Sequence, residues 1–227
     1  MIRVAPAILE QNFKELAERF RSVSGLVPFV QVDICDGKFV PSKTFGSDAK
    51  EESFKKLNKL TKEYKLDIEL DMMVRLDADT YNMFDKWMSA IKLSGAKSVV
   101  LHYGSTEIKW SEIFKALDNG ELMIGLSIHI DTPLGDAINL LNKHNFKYVQ
   151  VMGIEKVGYG GQSFTDKTLG IIEDIHKELP NILVSVDGGI NLNTVDNLKR
   201  AGVQQLVAGS AIFNASNKGE IIRLLQA

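Results

Sequence analysis

The chain of 227 residues carries 27 basic and 29 acidic side chains, a formal net charge of −2, and is 44% hydrophobic and 25% charged. That balance is ordinary for a globular protein with a full core, and it leaves no basic field for nucleic acid or an anionic membrane. The single cysteine, Cys35, excludes an internal disulfide framework and suits a reducing compartment.

The opening residues, Met1-Ile-Arg-Val-Ala-Pro6, run straight into an apolar strand without the shape of a signal peptide. No run approaches the ~18 apolar residues that span a bilayer, and a cytoplasmic location is expected. From there, strand-length apolar runs alternate with amphipathic helical stretches. A strand at 4–8 precedes a helix at 12–23, where Phe13, Leu16, Ala17 and Phe20 share one face. The pattern repeats as strand 29–34 with helix 49–63, 66–74 with 78–94, and 97–102 with 108–117. It continues as 122–128 with 134–144, 146–152 with 166–179, 182–187 with 192–201, and 205–208 with 216–225. Strands alternating with helices imply a parallel sheet. Eight such units without a linker predict one α/β domain over residues 1–227, a closed (β/α)8 TIM barrel. An open doubly wound sheet would place its Gly-rich loop after the first strand; here the Gly-rich loops come late.

In such a barrel the chemistry sits where strands end. The predicted strand-end residues are Ala7, Asp33, Asp71, His102, His129, Met152, Asp187 and Gly209-Ser210. Three glycine loops follow the last three strands: Gly158-Tyr159-Gly160-Gly161, Gly188-Gly189 after Asp187, and Gly209-Ser210. Glycine lets backbone N–H groups approach an oxyanion, and a following helix N-terminus adds partial positive charge. Any one pair reads as a plain turn, but three in adjacent loops read as a phosphate cradle. The absence of a Walker-type sequence points to a phosphorylated metabolite rather than a nucleoside triphosphate.

Period-two alternation puts Gln31 and Asp33 on one face of their strand, and groups Asp67, Glu69 and Asp71 on the inner face of the next. Asp187 arrives from the far side of the mouth. Read alone, Asp33 is a strand-ending acid that caps a turn. Several carboxylates in one mouth repel one another unless a cation is present; a structural network paired with lysine is the alternative. Two facing acids suit inversion beside a carbonyl, one removing a proton from carbon to leave an enediolate and the other returning a proton to the opposite face.

These residues lead to a resemblance. The chain resembles the ribulose-phosphate 3-epimerases along almost its whole length. The match includes Val4-Ala-Pro-Ala-Ile-Leu9, Val32-Asp-Ile-Cys-Asp-Gly-Lys-Phe-Val-Pro41, Thr44-Phe-Gly46 and Asp71-Met-Met-Val74. It continues through Leu101-His102, Asp131-Thr-Pro-Leu134, Gly158-Tyr-Gly-Gly-Gln-Ser-Phe164, Val186-Asp-Gly-Gly-Ile-Asn191 and Val207-Ala-Gly-Ser-Ala-Ile-Phe213. The resemblance implies an isomerase that epimerises a phosphorylated ketose such as ribulose 5-phosphate, with Asp33 and Asp187 as the acid/base pair. It also implies that Ala7, Gly158, Tyr159, Gly160, Gly161, Gly188, Gly189, Gly209 and Ser210 meet substrate and phosphate, and that the protein is a homo-oligomer.

The sequence departs from that pattern in the mouth. Gln31 and Asp71 stand where the resemblance leads one to expect metal-binding histidines, Ala7 where it implies serine, Lys38 where it implies histidine, and His129 where it implies asparagine. Zinc and iron, the family's metals, suit nitrogen ligands. An oxygen set of Gln31, Asp33, Asp71 and Asp187 suits magnesium, manganese or calcium, and no other cofactor is expected. Lys38 reads either as an electrophile or neutralising charge for Asp33 or Asp71, or as a solvated loop lysine. His102 and His129 either face the substrate or anchor loops. Cys35 reads as a shield over the mouth. The replaced histidines leave two alternatives open: other epimerase or lyase chemistry on the same frame, and a non-catalytic phosphosugar-binding homologue.

Overall fold

The computed structural model describes residues 2–77, 81–118 and 120–227. The elements run β1 (Arg3–Ile8), α1 (Phe13–Val23), β2 (Phe29–Cys35), α2 (Glu51–Tyr64), β3 (Asp67–Met73), α3 (Tyr81–Leu93), β4 (Ser98–His102) and α4 (Trp110–Leu117). They continue as β5 (Met123–Ile128), α5 (Leu134–Lys143), β6 (Tyr148–Met152), α6 (Lys167–Glu178), β7 (Leu183–Asp187), α7 (Val195–Arg200), β8 (Gln205–Ala208), α8 (Ser210–Phe213) and α9 (Lys218–Gln226). The eight strands are parallel and close on themselves in sequence order, β1 pairing with both β2 and β8. The (β/α)8 barrel read from the alternation is the observed fold.

Local chemistry sets the helix ends. Asn12 caps α1 by accepting from Glu15 N at 3.0 Å, as a short polar side chain does for otherwise unpaired first-turn donors. Differences from the predicted elements have similar causes. Asn191 to Thr194 form a side-chain-stapled turn, with Asn193 N on Asn191 Oδ1 at 2.8 Å and Asn191 N on Thr194 Oγ1 at 3.0 Å. That competition for backbone donors delays α7 to Val195. The short α8 immediately after β8 has no periodic signature in the sequence. The first residues of the predicted helix 78–94 (78–80) lie outside the described residues.

The main core lies between barrel and helices, where outward residues such as Ile68, Leu70 and Met72 meet Phe20, Phe54, Leu57 and Trp87 from the helix layer. The barrel interior is different. Ala5, Phe29 and Val207 form a small apolar patch there, but Gln31, Asp33, Glu69, Asp71, Ser98, His102, Ser127, Gln150, Ser185 and Asp187 are all buried strand residues. Alternation accounts for this, because every second strand residue points inward. Asp67, grouped with Glu69 and Asp71 in the sequence reading, is instead exposed at the first position of β3, where it pairs with Phe29 at the open N-terminal end of the barrel. No helix among the described residues is long and apolar enough to cross a membrane.

Leu57 on α2 is fully buried in the interlayer core. Leu57→Ala should lower stability by about 2–5 kcal/mol, the range for emptying a packed leucine site, read as a shifted urea midpoint at unchanged slope.

Candidate active site

Three strand ends bring carboxylates together at the C-terminal mouth. Asp33 from β2, Asp71 from β3 and Asp187 from β7 each offer an oxygen within 4.8 Å of the others, and all three are buried. One neutral side chain stands between them: Gln31 Nε2 lies 3.0 Å from Asp33 Oδ1, 3.0 Å from Asp187 Oδ2 and 3.4 Å from Asp71 Oδ2. Asp71 is further held by His102 Nε2 at 2.6 Å and by Gln150 Nε2, which donates at 2.8 Å.

Burial, then the charges of Asp187 and Asp71, push the Asp33 carboxyl well above the ordinary range. Burial and the Asp71 charge push Asp187 up to about 8, against the pull of the Gln31 amide. The physical statement is simple: without a cation, the protein keeps protons on this cluster at neutral pH. The three carboxylates can hold a metal ion. Gln31 presents its N–H2 to them and leaves Oε1 without a partner; a half-turn of the amide exchanges the two and supplies a fourth oxygen. The donor set therefore fits a divalent cation.

The mouth is covered by loops from opposite walls. Thr44 Oγ1 donates to Asp33 O at 2.7 Å and accepts from Cys35 N at 2.8 Å, pinning the β2–α2 loop to its strand. Asp36 accepts from Lys38 N, Phe39 N and Arg75 N at 2.8–3.0 Å, tying that loop to the one after β3. Val40 then packs with Cys35 and Met73 against Val157 of the β6–α6 loop. Gly158, at φ 86°, lies so close to Val40 and Ser42 that a Cβ would stand 2.7 Å from Ser42 Oγ. Cys35 is fully buried and burial pushes its thiol up, so it packs rather than attacks.

Ala7, Asp33, Gly158, Tyr159, Gly160, Gly161, Asp187, Gly188, Gly189, Gly209 and Ser210 line one cleft, which Met73, Met152 and Ile154 wall with apolar surface. Gly161, Gly189 and Ser210 also line an adjoining hollow of about 280 Å³. At Gly189, φ is 69° and a Cβ would meet the Phe164 backbone at 2.5 Å, so only glycine serves.

Lys38 is exposed and does not line the cleft, and no ion pair joins it to Asp33 or Asp71 among the described residues. The loop lets its backbone bind Asp36 while its ammonium stays hydrated. His129 is turned away from the cleft too: its Nδ1 accepts from Asp131 N at 3.3 Å, so Nε2–H donates to Glu155 O at 2.9 Å and anchors the β6–α6 loop. His102 touches Asp71 rather than the cleft. The sequence reading passed over Gln150. Its signal was present, since a glutamine two residues before the strand-end Met152, in an otherwise apolar run, must face inward.

The model of the ribulose-phosphate 3-epimerase family matches residues 3–213. The chain belongs to that family. Among its curated relatives, the cytoplasmic isoform of ribulose-phosphate 3-epimerase from Oryza sativa subsp. japonica is 30% identical over 99% of this chain and 92% of its own length. The ribulose-phosphate 3-epimerase of Mycobacterium bovis is also 30% identical, over 98% of this chain and 91% of its own. Among solved structures, 3-hexulose-6-phosphate synthase from Salmonella typhimurium superposes with a TM-score of 0.69 at 14% identity, over 99% of this chain and 96% of that one. Orotidine 5'-phosphate decarboxylase from Pyrococcus horikoshii OT3 gives 0.65 at 17%, over 98% and 96%. These two share the fold. The Gln31 amide and the Asp71 carboxylate make the mouth of this chain oxygen-rich.

A pH dependence follows. Asp187 is protonated up to about pH 8 in the folded metal-free protein but only to about 4 when unfolded. The folded state thus binds the extra proton, and stability must fall as pH rises between those values and level off above. In chelator, the melting temperature should decline from pH 5 to pH 8, at most ~1.4 kcal/mol per pH unit for each such group. Asp187→Asn should flatten the slope, and added Mn2+ should offset it.

Proposed function

We propose that the protein is a carbohydrate-phosphate epimerase acting on ribulose 5-phosphate or a close phosphoketose, by proton exchange at the carbon beside the carbonyl. The observation that carries this reading is the pairing of Asp33 and Asp187, two buried acids from strands on different sides of the barrel, at the end of a cleft walled by three glycine loops. The glycine loops bind the phosphate through main-chain N–H groups and set the sugar's depth. The reacting carbon then lies between the acids, one taking its proton and the other returning one to the opposite face. Raised proton affinity is what such a pair requires, one member protonated while the other is ionised. Gln31 donates to both and keeps their separation; His102 and Gln150 orient Asp71. Met73, Met152 and Ile154 exclude water from the enediolate.

A divalent cation on Asp33, Asp71, Asp187 and a rotated Gln31 would supply electrophilic stabilisation of the enediolate oxygens, and oxygen donors favour magnesium, manganese or calcium. The relatives' names and the covered cleft support the sugar assignment, and the rice cytoplasmic isoform supports a cytoplasmic location. We read the chain as a single-domain barrel working as a homo-oligomer.

The test is wash-in of deuterium at C3 of ribulose 5-phosphate. Wild-type protein should exchange it, and Asp33→Asn and Asp187→Asn should each reduce exchange by about 10²–10⁴-fold, the usual contribution of a positioned acid or base. Undiminished exchange in Asp33→Asn overturns the assignment. Turnover of a phosphorylated keto acid in preference to ribulose 5-phosphate would favour lyase chemistry on the same frame. Lys38→Ala should leave exchange unchanged.

A further inference from the structure

The opposite end of the barrel holds a second cavity that the epimerisation reading does not use. It has a volume of about 330 Å³ and opens at the N-terminal ends of the strands, with Glu69 and Ser185 at its floor and Arg3, Met123, Leu183 and Gln205 toward its rim. That is room for roughly ten water-sized groups at ~30 Å³ each.

Its floor carries a buried carboxyl group with no cationic partner among the described residues. Glu69 is 2% exposed. Its Oε2 accepts from Ser98 Oγ at 2.8 Å and from the Tyr148 hydroxyl, and its Oε1 accepts from Gln205 Nε2 at 3.0 Å. Oε2 is filled, whereas Oε1 takes one donor and has a second acceptor position open. In the same cavity, Ser185 on β7 is 1% exposed and its Oγ has no partner among the described residues. A buried hydroxyl left unpaired marks a place where a polar group belongs.

The rim carries the opposite charge. Arg3 Nη1 donates to Gln205 Oε1 at 3.4 Å, and its guanidinium lies 4.8 Å from the centroid of the Phe29 ring. Gln205 therefore spans from the Arg3 guanidinium to the Glu69 carboxyl, one amide separating the two. Met123 and Leu183, at 38% and 52% exposure, add apolar surface at the same opening.

We propose that this N-terminal cavity is a second ligand site, and that its ligand is a small zwitterion with an apolar body, an aliphatic α-amino acid. The ammonium donates to Glu69 Oε1 and Ser185 Oγ, the carboxylate pairs with Arg3, and the side chain lies on Met123 and Leu183. A simple amine would leave its charge facing Arg3, and a simple carboxylate would face Glu69; the zwitterion complements both ends.

The test is calorimetric titration of the full chain with L-leucine and L-methionine against isoamylamine and isovalerate, which carry only one charged end. Leucine or methionine should bind saturably at millimolar concentration, with the two single-charge analogues markedly weaker. Ser185→Ala and Arg3→Gln should each weaken leucine binding about tenfold, the scale of one lost hydrogen bond or ion pair. Both variants keep Glu69 and the side chains that donate to it, and an unchanged circular dichroism spectrum is the check that they fold. Asp187→Asn, at the other end of the barrel, should leave leucine binding intact. Absence of saturable amino-acid binding, which means that the cavity holds water only, overturns the proposal. So does equal binding of isoamylamine, indifference to Arg3→Gln, or loss of binding in Asp187→Asn.

Discussion

The interior of this barrel depends on how four carboxylates share a buried space. Asp33, Glu69, Asp71 and Asp187 are each at most 8% exposed, and glutamine, serine, tyrosine and histidine side chains rather than lysine or arginine hold them. The Gln31 amide reaches three of the four. Asp71 takes donors from two glutamines and a histidine, and Glu69 takes a serine, a tyrosine and a third glutamine. An isolated buried carboxylate is costly. Here hydrogen bonds offset part of that cost, and retained protons at Asp33 and Asp187 remove part of the charge.

That compromise divides the barrel lengthwise. At the C-terminal mouth the carboxylates crowd, and glycine loops open the backbone toward the same cleft. At the N-terminal end a single acid takes three donors and keeps one acceptor position open toward a cavity. Between them Ser127, Gln150 and Ser185 lie in direct register on β5, β6 and β7, each with an oxygen that has no partner. The helix layer packs on the outward strand residues through a continuous apolar cluster, which holds the frame around the polar interior.

The residues of the mouth fit this division. Gln31 and Asp71 adjoin each other across β2 and β3, since Gln31 pairs with Glu69 and Asp33 with Asp71 in the strand register. An amide and a carboxylate at these positions set the cluster's charge and suit an oxygen-preferring cation, while the outward-facing residues of the same strands pack into the apolar core. His129 and Lys38 show the limit of strand-end reasoning. Both follow strands pointing at the mouth, yet each lies on a loop whose backbone hydrogen bonds turn the side chain elsewhere, toward Glu155 in one case and solvent in the other.

The sequence by itself determined the architecture and the inward acids. Strand and helix periods depend on nearest neighbours in the chain, and alternation assigns a face to each strand residue. Thus the barrel, Asp33, Asp71 and Asp187 at its mouth, and the late glycine loops were legible in one dimension. Only the tertiary structure decided which groups touch. That Gln31 stands among three acids, that Gln150 and His102 hold Asp71, that Asp67 lies outside, and that Glu69 meets Tyr148 and Gln205 all depend on strand stagger and closure. Gln31 and Asp187 are 156 positions apart, and no local pattern encodes a distance that only a closed sheet creates.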